Sequence, residues 1–177
     1  RVPYGTRSPE TIIRYSIRVT GHLLQRNIKA VVIACNTATT YALEILQEAC
    51  ARIGIPVFGV IEPSAKAAIN QSKRQHIAVL GTEGTIKGGK YAEAILSHNP
   101  NAQIEAIPCP LFVPLIEEGW HEHVVAETIA KEYLNQMSNF DLIDTAILGC
   151  THYPLLKPML NRLFPNIEFV DSAFTTA

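Results

Sequence analysis

Two cysteines stand in similar local sequences, each after a short apolar run and before small polar residues. Cys35 lies in AVVIACNTAT (30–39) and Cys150 in TAILGCTHYP (145–154). One cysteine of this kind is usually a small packing residue, but the repetition predicts two thiols that work together. Such a pair suits proton transfer at a carbon acid, because one thiolate can remove a proton while a thiol on the opposite face returns one.

The residues that follow each cysteine are hydrogen-bond donors. Asn36 and Thr37 follow Cys35, and Thr151 and His152 follow Cys150. If helices begin there, their N-termini lower a thiol's pKa and hold carboxylates. A thiol hydrolase that uses Cys150 with His152 is an alternative, although side chains two residues apart diverge in a strand and do not stack in a helix.

The elements that must position these residues alternate between short apolar runs and helical patterns, which predicts an α/β protein with mainly parallel sheets. Both cysteines then fall at the carboxyl ends of strands, where ligands collect in such sheets. Ser8 and Pro9 mark the first helix start, and Gly54 a helix stop. Strands are predicted at 30–35, 56–61, 76–80, 102–107, 145–149 and 167–170, and helices at 8–27, 38–53, 64–72, 89–98, 121–137 and after 154.

Composition disfavours several other classes of protein. The chain has 177 residues, 47% of them hydrophobic, and a formal net charge of -1 without a basic stripe, which argues against nucleic-acid binding. The apolar runs end well short of the roughly 18 residues that span a bilayer, and without an export leader we expect a cytoplasmic protein. The four cysteines form no C-x-x-C pair, which disfavours zinc and a disulfide framework, and no phosphate-binding loop is apparent. Cys50 and Cys109 are expected to be structural.

At these residues the sequence resembles the glutamate racemases, which belong to the cofactor-independent amino-acid racemases. Six motifs carry the resemblance and span nearly the whole chain: VPYG (2–5), ACNTAT (34–39), GVIEP (59–63), GTEGTI (81–86), PLFVPLIEEG (110–119) and LGCTHYP (148–154). Related aspartate racemases share the paired cysteines but usually not the full set of surrounding residues.

The resemblance implies interconversion of L- and D-glutamate without pyridoxal phosphate or metal, supplying D-glutamate for peptidoglycan. Cys35 would take the α-proton from the D-enantiomer and Cys150 from the L-enantiomer. A racemase acting on a related amino acid such as aspartate stays an alternative. The matching substrate-binding positions are Tyr4, Gly5, Asn36, Thr37, Thr151 and His152; His152 is also a candidate helper of Cys150, Glu117 an acidic auxiliary, and Thr82 and Thr85 weaker binding candidates.

The resemblance also implies two doubly wound domains with the active site between them. We expect part of the first domain at 1–62, the second at 63–171, and the start of a return to the first at 172–177. Family members carry an upstream strand with an Asp-Ser-Gly turn and further helices downstream, so the first domain is expected to be incomplete and this chain alone poorly active. The expected partner is a small molecule, glutamate, and a homodimer is an assembly the family allows.

Overall fold

The computed structural model describes residues 4–176, so Arg1, Val2, Pro3 and Ala177, including half of the 2–5 motif, lie outside the described residues. The strands are β1 (Val31–Ile33), β2 (Val57–Gly59), β3 (His76–Gly81), β4 (Gln103–Pro108), β5 (Thr145–Gly149) and β6 (Glu168–Asp171). The helices are α1 (Pro9–Leu23), α2 (Asn36–Ala51), α3 (Ile61–Gln71), α4 (Glu83–Lys87), α5 (Lys90–His98), α6 (Phe112–Glu117), α7 (Val124–Leu134), α8 (Lys157–Leu163) and α9 (Ser172–Thr176). Short 3-10 helices lie at Leu24–Arg26, Phe140–Leu142 and Tyr153–Leu156.

Two parallel sheets organise the described part of the chain. Strands β1 and β2 pair in one sheet, and the other has the strand order β4-β3-β5-β6. Each described strand pair is parallel, which confirms the predicted α/β class. The predicted domain boundary at residues 62–63 falls in the first turn of α3, and the domain limits stay a prediction.

The larger sheet is covered on both faces, as its apolar strands require. In β3, Ala78 and Leu80 pack with α6, α7 and α8, whereas Ile77 and Val79 face the opposite side, towards α3 and α5. A third cluster joins β1, β2, α1 and α2. The alternation follows the two-residue period of a strand, so successive side chains of β3 pack against helices on opposite faces of the sheet.

The smaller sheet leaves apolar surface open. Val32 of β1 is 58% exposed and Phe58 of β2 is 53% exposed, although both belong to apolar strands.

Helix α1 begins as predicted, because the Ser8 side chain accepts a hydrogen bond from the Thr11 backbone N–H and Pro9 occupies the first turn. Within residues 4–176, the helices are all too short or too polar to cross a membrane.

Several elements differ from the sequence prediction: α1 ends at Leu23, α3 begins at Ile61 inside the predicted strand 56–61, and α9 was not predicted. Helix α7 is shorter than the predicted 121–137, because His123 caps it by accepting from the Val125 N–H. Helix α4 was not predicted; Thr82 starts it by capping the Thr85 N–H. Helix α2 begins at Asn36, two residues earlier than predicted, which makes Cys35 its N-cap residue.

Candidate active site

The first cysteine lies where β1 gives way to α2. Cys35 is half-buried, and its carbonyl accepts the Thr39 N–H at 2.8 Å as the first bond of the helix. Its side chain makes no capping hydrogen bond. The thiol is therefore held at the helix N-terminus while its sulfur is not engaged in capping.

The second cysteine follows β5 directly and is 7% exposed. Burial raises the pKa of the Cys150 thiol to about 11; backbone N–H groups of His152 and Tyr153 oppose the rise, and negative charge on Cys35 adds to it. The expectation that a helix N-terminus lowers the thiol pKa is therefore wrong for Cys150, since desolvation outweighs the donors. The two strand ends lie near each other, because Tyr91 donates a hydrogen bond to Asn36 and its ring lies against Gly149.

His152 links Cys150 to a carboxylate. Its Nδ1 lies 3.9 Å from the Cys150 Sγ, and its Nε2 donates to the Glu117 Oε1 at 2.5 Å. Because a carboxylate only accepts, Nε2 carries a proton and Nδ1 of the neutral ring is the free acceptor that faces the thiol. The argument from sequence against a direct Cys150–His152 pair assumed a strand or a helix, whereas residues 150–152 form a turn in which the two side chains approach each other.

Asn36 is 1% exposed, and both ends of its side-chain amide are hydrogen-bonded. Its Oδ1 accepts from the Tyr91 hydroxyl at 2.6 Å, and its Nδ2 donates to the Ser172 Oγ at 3.3 Å. These partners come from α5 and α9, far from Asn36 in sequence. The amide orientation is thus set by its neighbours.

Three buried threonine hydroxyls form a cluster beside α2. Thr37 Oγ1 lies 2.9 Å from Thr82 Oγ1 and 3.2 Å from Thr85 Oγ1, and the last two lie 3.0 Å apart. The structure therefore joins the ACNTAT and GTEGTI motifs. Each hydroxyl can donate or accept, so the cluster can adapt to a polar ligand.

Gly5 packs against the same cluster. The Gly84 N–H donates to its carbonyl at 3.0 Å, and a Cβ at position 5 would lie 2.6 Å from the Thr82 Cβ. The absence of a side chain thus permits the close approach of this segment. Tyr4 is half-buried against the α1 and α2 cluster, 6.3 Å from the Tyr15 ring between centroids.

The remaining candidates differ in burial. Thr151 is exposed, whereas Cys50 and Cys109 are 1% and 0% exposed, as expected of structural residues. Sequence reasoning missed Tyr91 and Ser172 as partners of Asn36.

A cavity of about 750 Å³ lies at the opposite edge of the larger sheet, lined by residues that precede β3, β5 and β6. Within residues 4–176, no three His, Cys, Asp or Glu side chains group to hold a metal.

Comparison with known proteins gives a consistent family. A model described as Asp/Glu/hydantoin racemase matches residues 1–177. Glutamate racemase of Geobacter metallireducens is 48% identical over 178 residues, covering 100% of this chain and 64% of that protein. Glutamate racemase of Sulfurihydrogenibium sp. is 48% identical over 174 residues, covering 98% and 65%.

Solved structures agree. Glutamate racemase isoform RacE1 from Bacillus anthracis has a TM-score of 0.92 at 37% identity, covering 99% of this chain and 65% of that one. Glutamate racemase from Francisella tularensis in complex with D-glutamate has a TM-score of 0.88 at 36% identity, covering 99% and 64%. Picrophilus torridus aspartate racemase, at 17% identity and a TM-score of 0.63 over 90% of this chain and 64% of that one, shares the fold alone.

The chain spans 64% to 66% of the length of the first three curated relatives. The match nevertheless extends over every motif that carries the resemblance, and the same parallel α/β architecture recurs in the solved relatives. This chain belongs to the Asp/Glu/hydantoin racemase family.

Proposed function

We propose that the protein containing these residues is a glutamate racemase, which interconverts L- and D-glutamate by two-base proton transfer at Cα and supplies D-glutamate for peptidoglycan. The observation that supports the proposal is that the strand ends bearing Cys35 and Cys150 lie near each other. Tyr91 bridges them through Asn36, which follows the first cysteine, and Gly149, which precedes the second. Curated relatives of 48% identity support glutamate as the substrate. No cofactor or metal enters the proposal.

Burial suits Cys150 to the role of the acid. With its pKa at about 11, Cys150 is protonated at neutral pH in the free site and is ready to act as an acid. Half-buried Cys35 then acts as the base. When Cys35 removes the α-proton of D-glutamate, Cys150 delivers its own proton to the opposite face, and the product is L-glutamate.

The reverse direction starts from the state that the forward direction leaves, in which Cys150 is a thiolate that removes the α-proton of L-glutamate and Cys35 is a thiol that delivers its own proton. In the free enzyme this state forms when His152 Nδ1, which faces the Cys150 thiol, accepts its proton and Cys35 gains one from solvent. Glu117 at the far side of the ring stabilises the imidazolium until it releases the proton. Glu117 acts through His152 and is a positioning residue.

The substrate carboxylates need donors, because negative charge builds up on the carbanion. Asn36, Thr37 and Thr151 carry such donors, and the segment of Tyr4 and Gly5 closes against the threonine cluster. A preorganised donor at a developing anion is worth about 3 to 4 kcal/mol in well-studied oxyanion sites. We propose that these residues and His152 bind the substrate.

The proposal is tested by following deuterium at Cα during incubation with each glutamate enantiomer in heavy water. The enzyme used is the longest natural polypeptide that contains residues 1–177. Cys35→Ser and Cys150→Ser should each suppress racemisation strongly, whereas Cys50→Ala, which removes a buried thiol from the helix that follows Cys35, should retain exchange. Normal racemisation by both serine variants would contradict the two-base mechanism.

The same assay with aspartate tests the choice of substrate, and comparison with residues 1–177 alone tests whether this chain suffices. We expect the shorter chain to be poorly active. The exposed apolar side chains of Val32 and Phe58 favour self-association of the chain, which competes with formation of the folded active site. Full activity from residues 1–177 would overturn that expectation. The limits 1–62, 63–171 and 172–177, and a site between two domains, are part of the proposal.

One observation favours a second candidate, a thiol hydrolase. The contact of Cys150 with His152, and of His152 with Glu117, has the order of a nucleophile, a base and an orienting carboxylate. An acyl group trapped on Cys150 without deuterium exchange at Cα would support hydrolysis. Exchange without an acyl adduct would support racemisation.

A further inference from the structure

Tyr91 of α5 contacts the segments of both cysteines. Its hydroxyl donates to the Oδ1 of Asn36, the residue after Cys35, at 2.6 Å. Its ring packs beside Gly149, the residue before Cys150. Tyr91 is 3% exposed, so it reaches neither solvent nor the outer surface of the molecule. It is a buried bridge between two strand ends that are 115 residues apart in sequence, from 35 to 150.

Gly149 makes the approach of the ring possible. A Cβ at this position would lie 3.1 Å from the Tyr91 Cε2 and 2.9 Å from the Leu80 carbonyl oxygen. The ring therefore occupies the space that a side chain would fill. This contact fixes the position of the Cys150 turn relative to α5, because Gly149 lies between the Tyr91 ring and the backbone of β3, with which it is paired.

The hydroxyl fixes the other cysteine segment through Asn36. Since Tyr91 donates, the atom that faces it is the carbonyl oxygen of the amide, and the NH₂ group turns towards Ser172. Burial raises the pKa of the Tyr91 phenol, which keeps this donor protonated at neutral pH. Without the hydroxyl, a buried amide oxygen loses its partner and the amide can rotate, at a cost comparable to that of other buried unsatisfied groups.

We infer that Tyr91 is a positioning residue for the proposed racemisation, which orients the Asn36 amide and sets the spacing of the two cysteine segments. The expected effect of Tyr91 on kcat/KM rests on the proposed function, whereas its expected effect on the orientation of the Asn36 amide does not. Tyr91 acts through Asn36 and through the backbone at Gly149.

Tyr91→Phe tests the inference, because it keeps the ring against Gly149 and removes only the hydroxyl. We expect kcat/KM for glutamate to fall about tenfold to a hundredfold, the range that follows from a buried acceptor left unpaired. Tyr41→Phe is the matched control. The Tyr41 hydroxyl also bridges α2 to another segment, donating to the Gly84 carbonyl at 2.8 Å, and within residues 4–176 it makes no hydrogen bond to a side chain.

A double-mutant cycle separates positioning from general destabilisation. If Tyr91 acts through Asn36, Tyr91→Phe should have less than a threefold effect in an Asn36→Ala background, because coupled residues are not additive. Tyr41→Phe should have the same effect in both backgrounds. Equal losses from Tyr91→Phe with and without the Asn36 side chain would overturn the inference.

A second measurement does not depend on activity. The side-chain NH₂ signal of Asn36, assigned in a ¹⁵N-labelled protein by its loss in Asn36→Ala, should shift or broaden in Tyr91→Phe and stay in place in Tyr41→Phe. An unmoved signal in Tyr91→Phe would overturn the inference even if the wild-type protein proved inactive. Absence of Cα exchange in the wild type would instead contradict the proposed function.

Discussion

Glu117→Gln isolates the contribution of the carboxylate behind His152. The substitution keeps the shape of the side chain but removes the charge that faces the His152 Nε2 at 2.5 Å. The His152 side chain is 33% exposed and that of Glu117 62% exposed, so water screens the pair. An ion pair in such a setting is worth up to about 1 kcal/mol, which at about 1.36 kcal/mol per factor of ten corresponds to a loss of up to about fivefold in kcat.

The loss should depend on direction. His152 is proposed to take the proton of Cys150, so kcat should fall more for L-glutamate, from which Cys150 removes the α-proton, than for D-glutamate. Because the enantiomers have equal free energies, kcat/KM must remain equal in the two directions, so the ratio of the KM for L-glutamate to the KM for D-glutamate must fall by the same factor as the ratio of the two kcat values. This compensation gives the experiment an internal check.

The assay is circular dichroism of glutamate, started from each pure enantiomer at several concentrations. Glu118→Gln, which makes the same charge change at the next residue, is the control and should leave both rates within twofold; Glu118 is exposed. Equal kcat losses in both directions, or no loss at all, would refute the reasoning that Glu117 supports the Cys150 side of the reaction.

Three further predictions concern Cys150, Gly5 and Ser8. Because the Cys150 pKa is raised to about 11, its alkylation by iodoacetamide, followed by mass spectrometry, should still increase between pH 9 and pH 10; a plateau below pH 9 would contradict the raised value. Gly5→Ala should raise the KM for glutamate, because its Cβ would lie 2.6 Å from the Thr82 Cβ, and an unchanged KM would count against the packed segment. Ser8→Ala should lower the free energy of unfolding in urea by about 1 kcal/mol through loss of the α1 cap, and no change would argue against that cap.

The alternation of strands and helices could be predicted from sequence, because buried parallel strands read as short apolar runs. β3 and β5 appear where such runs occur, at the predicted 76–80 and 145–149, and both are buried throughout most of their length. Helix α4 could not be predicted in the same way. Its five residues, EGTIK, include a glycine, and the cap at Thr82 depends on a local conformation that composition does not reveal.

The site was predictable in its residue types but not in its geometry. The paired motifs indicated Cys35 and Cys150, yet the approach of His152 to the thiol depends on a turn, for which neither strand nor helix spacing applies. The direction of the Cys150 pKa shift depends on burial, which a sequence pattern does not measure. Tyr91 reads as an ordinary core residue of α5 until its partner, 55 residues away, is known.

The most direct test of the two-thiol site is a crystal structure of the longest natural chain that contains residues 1–177, with D-glutamate bound. Our account predicts one ligand between the strand ends, with the Sγ atoms of Cys35 and Cys150 on opposite faces of Cα and each about 3 to 3.5 Å from it, the separation of reacting atoms in a near-attack geometry. Both sulfurs on one face of Cα, or either one shielded from the ligand by other side chains, would contradict it.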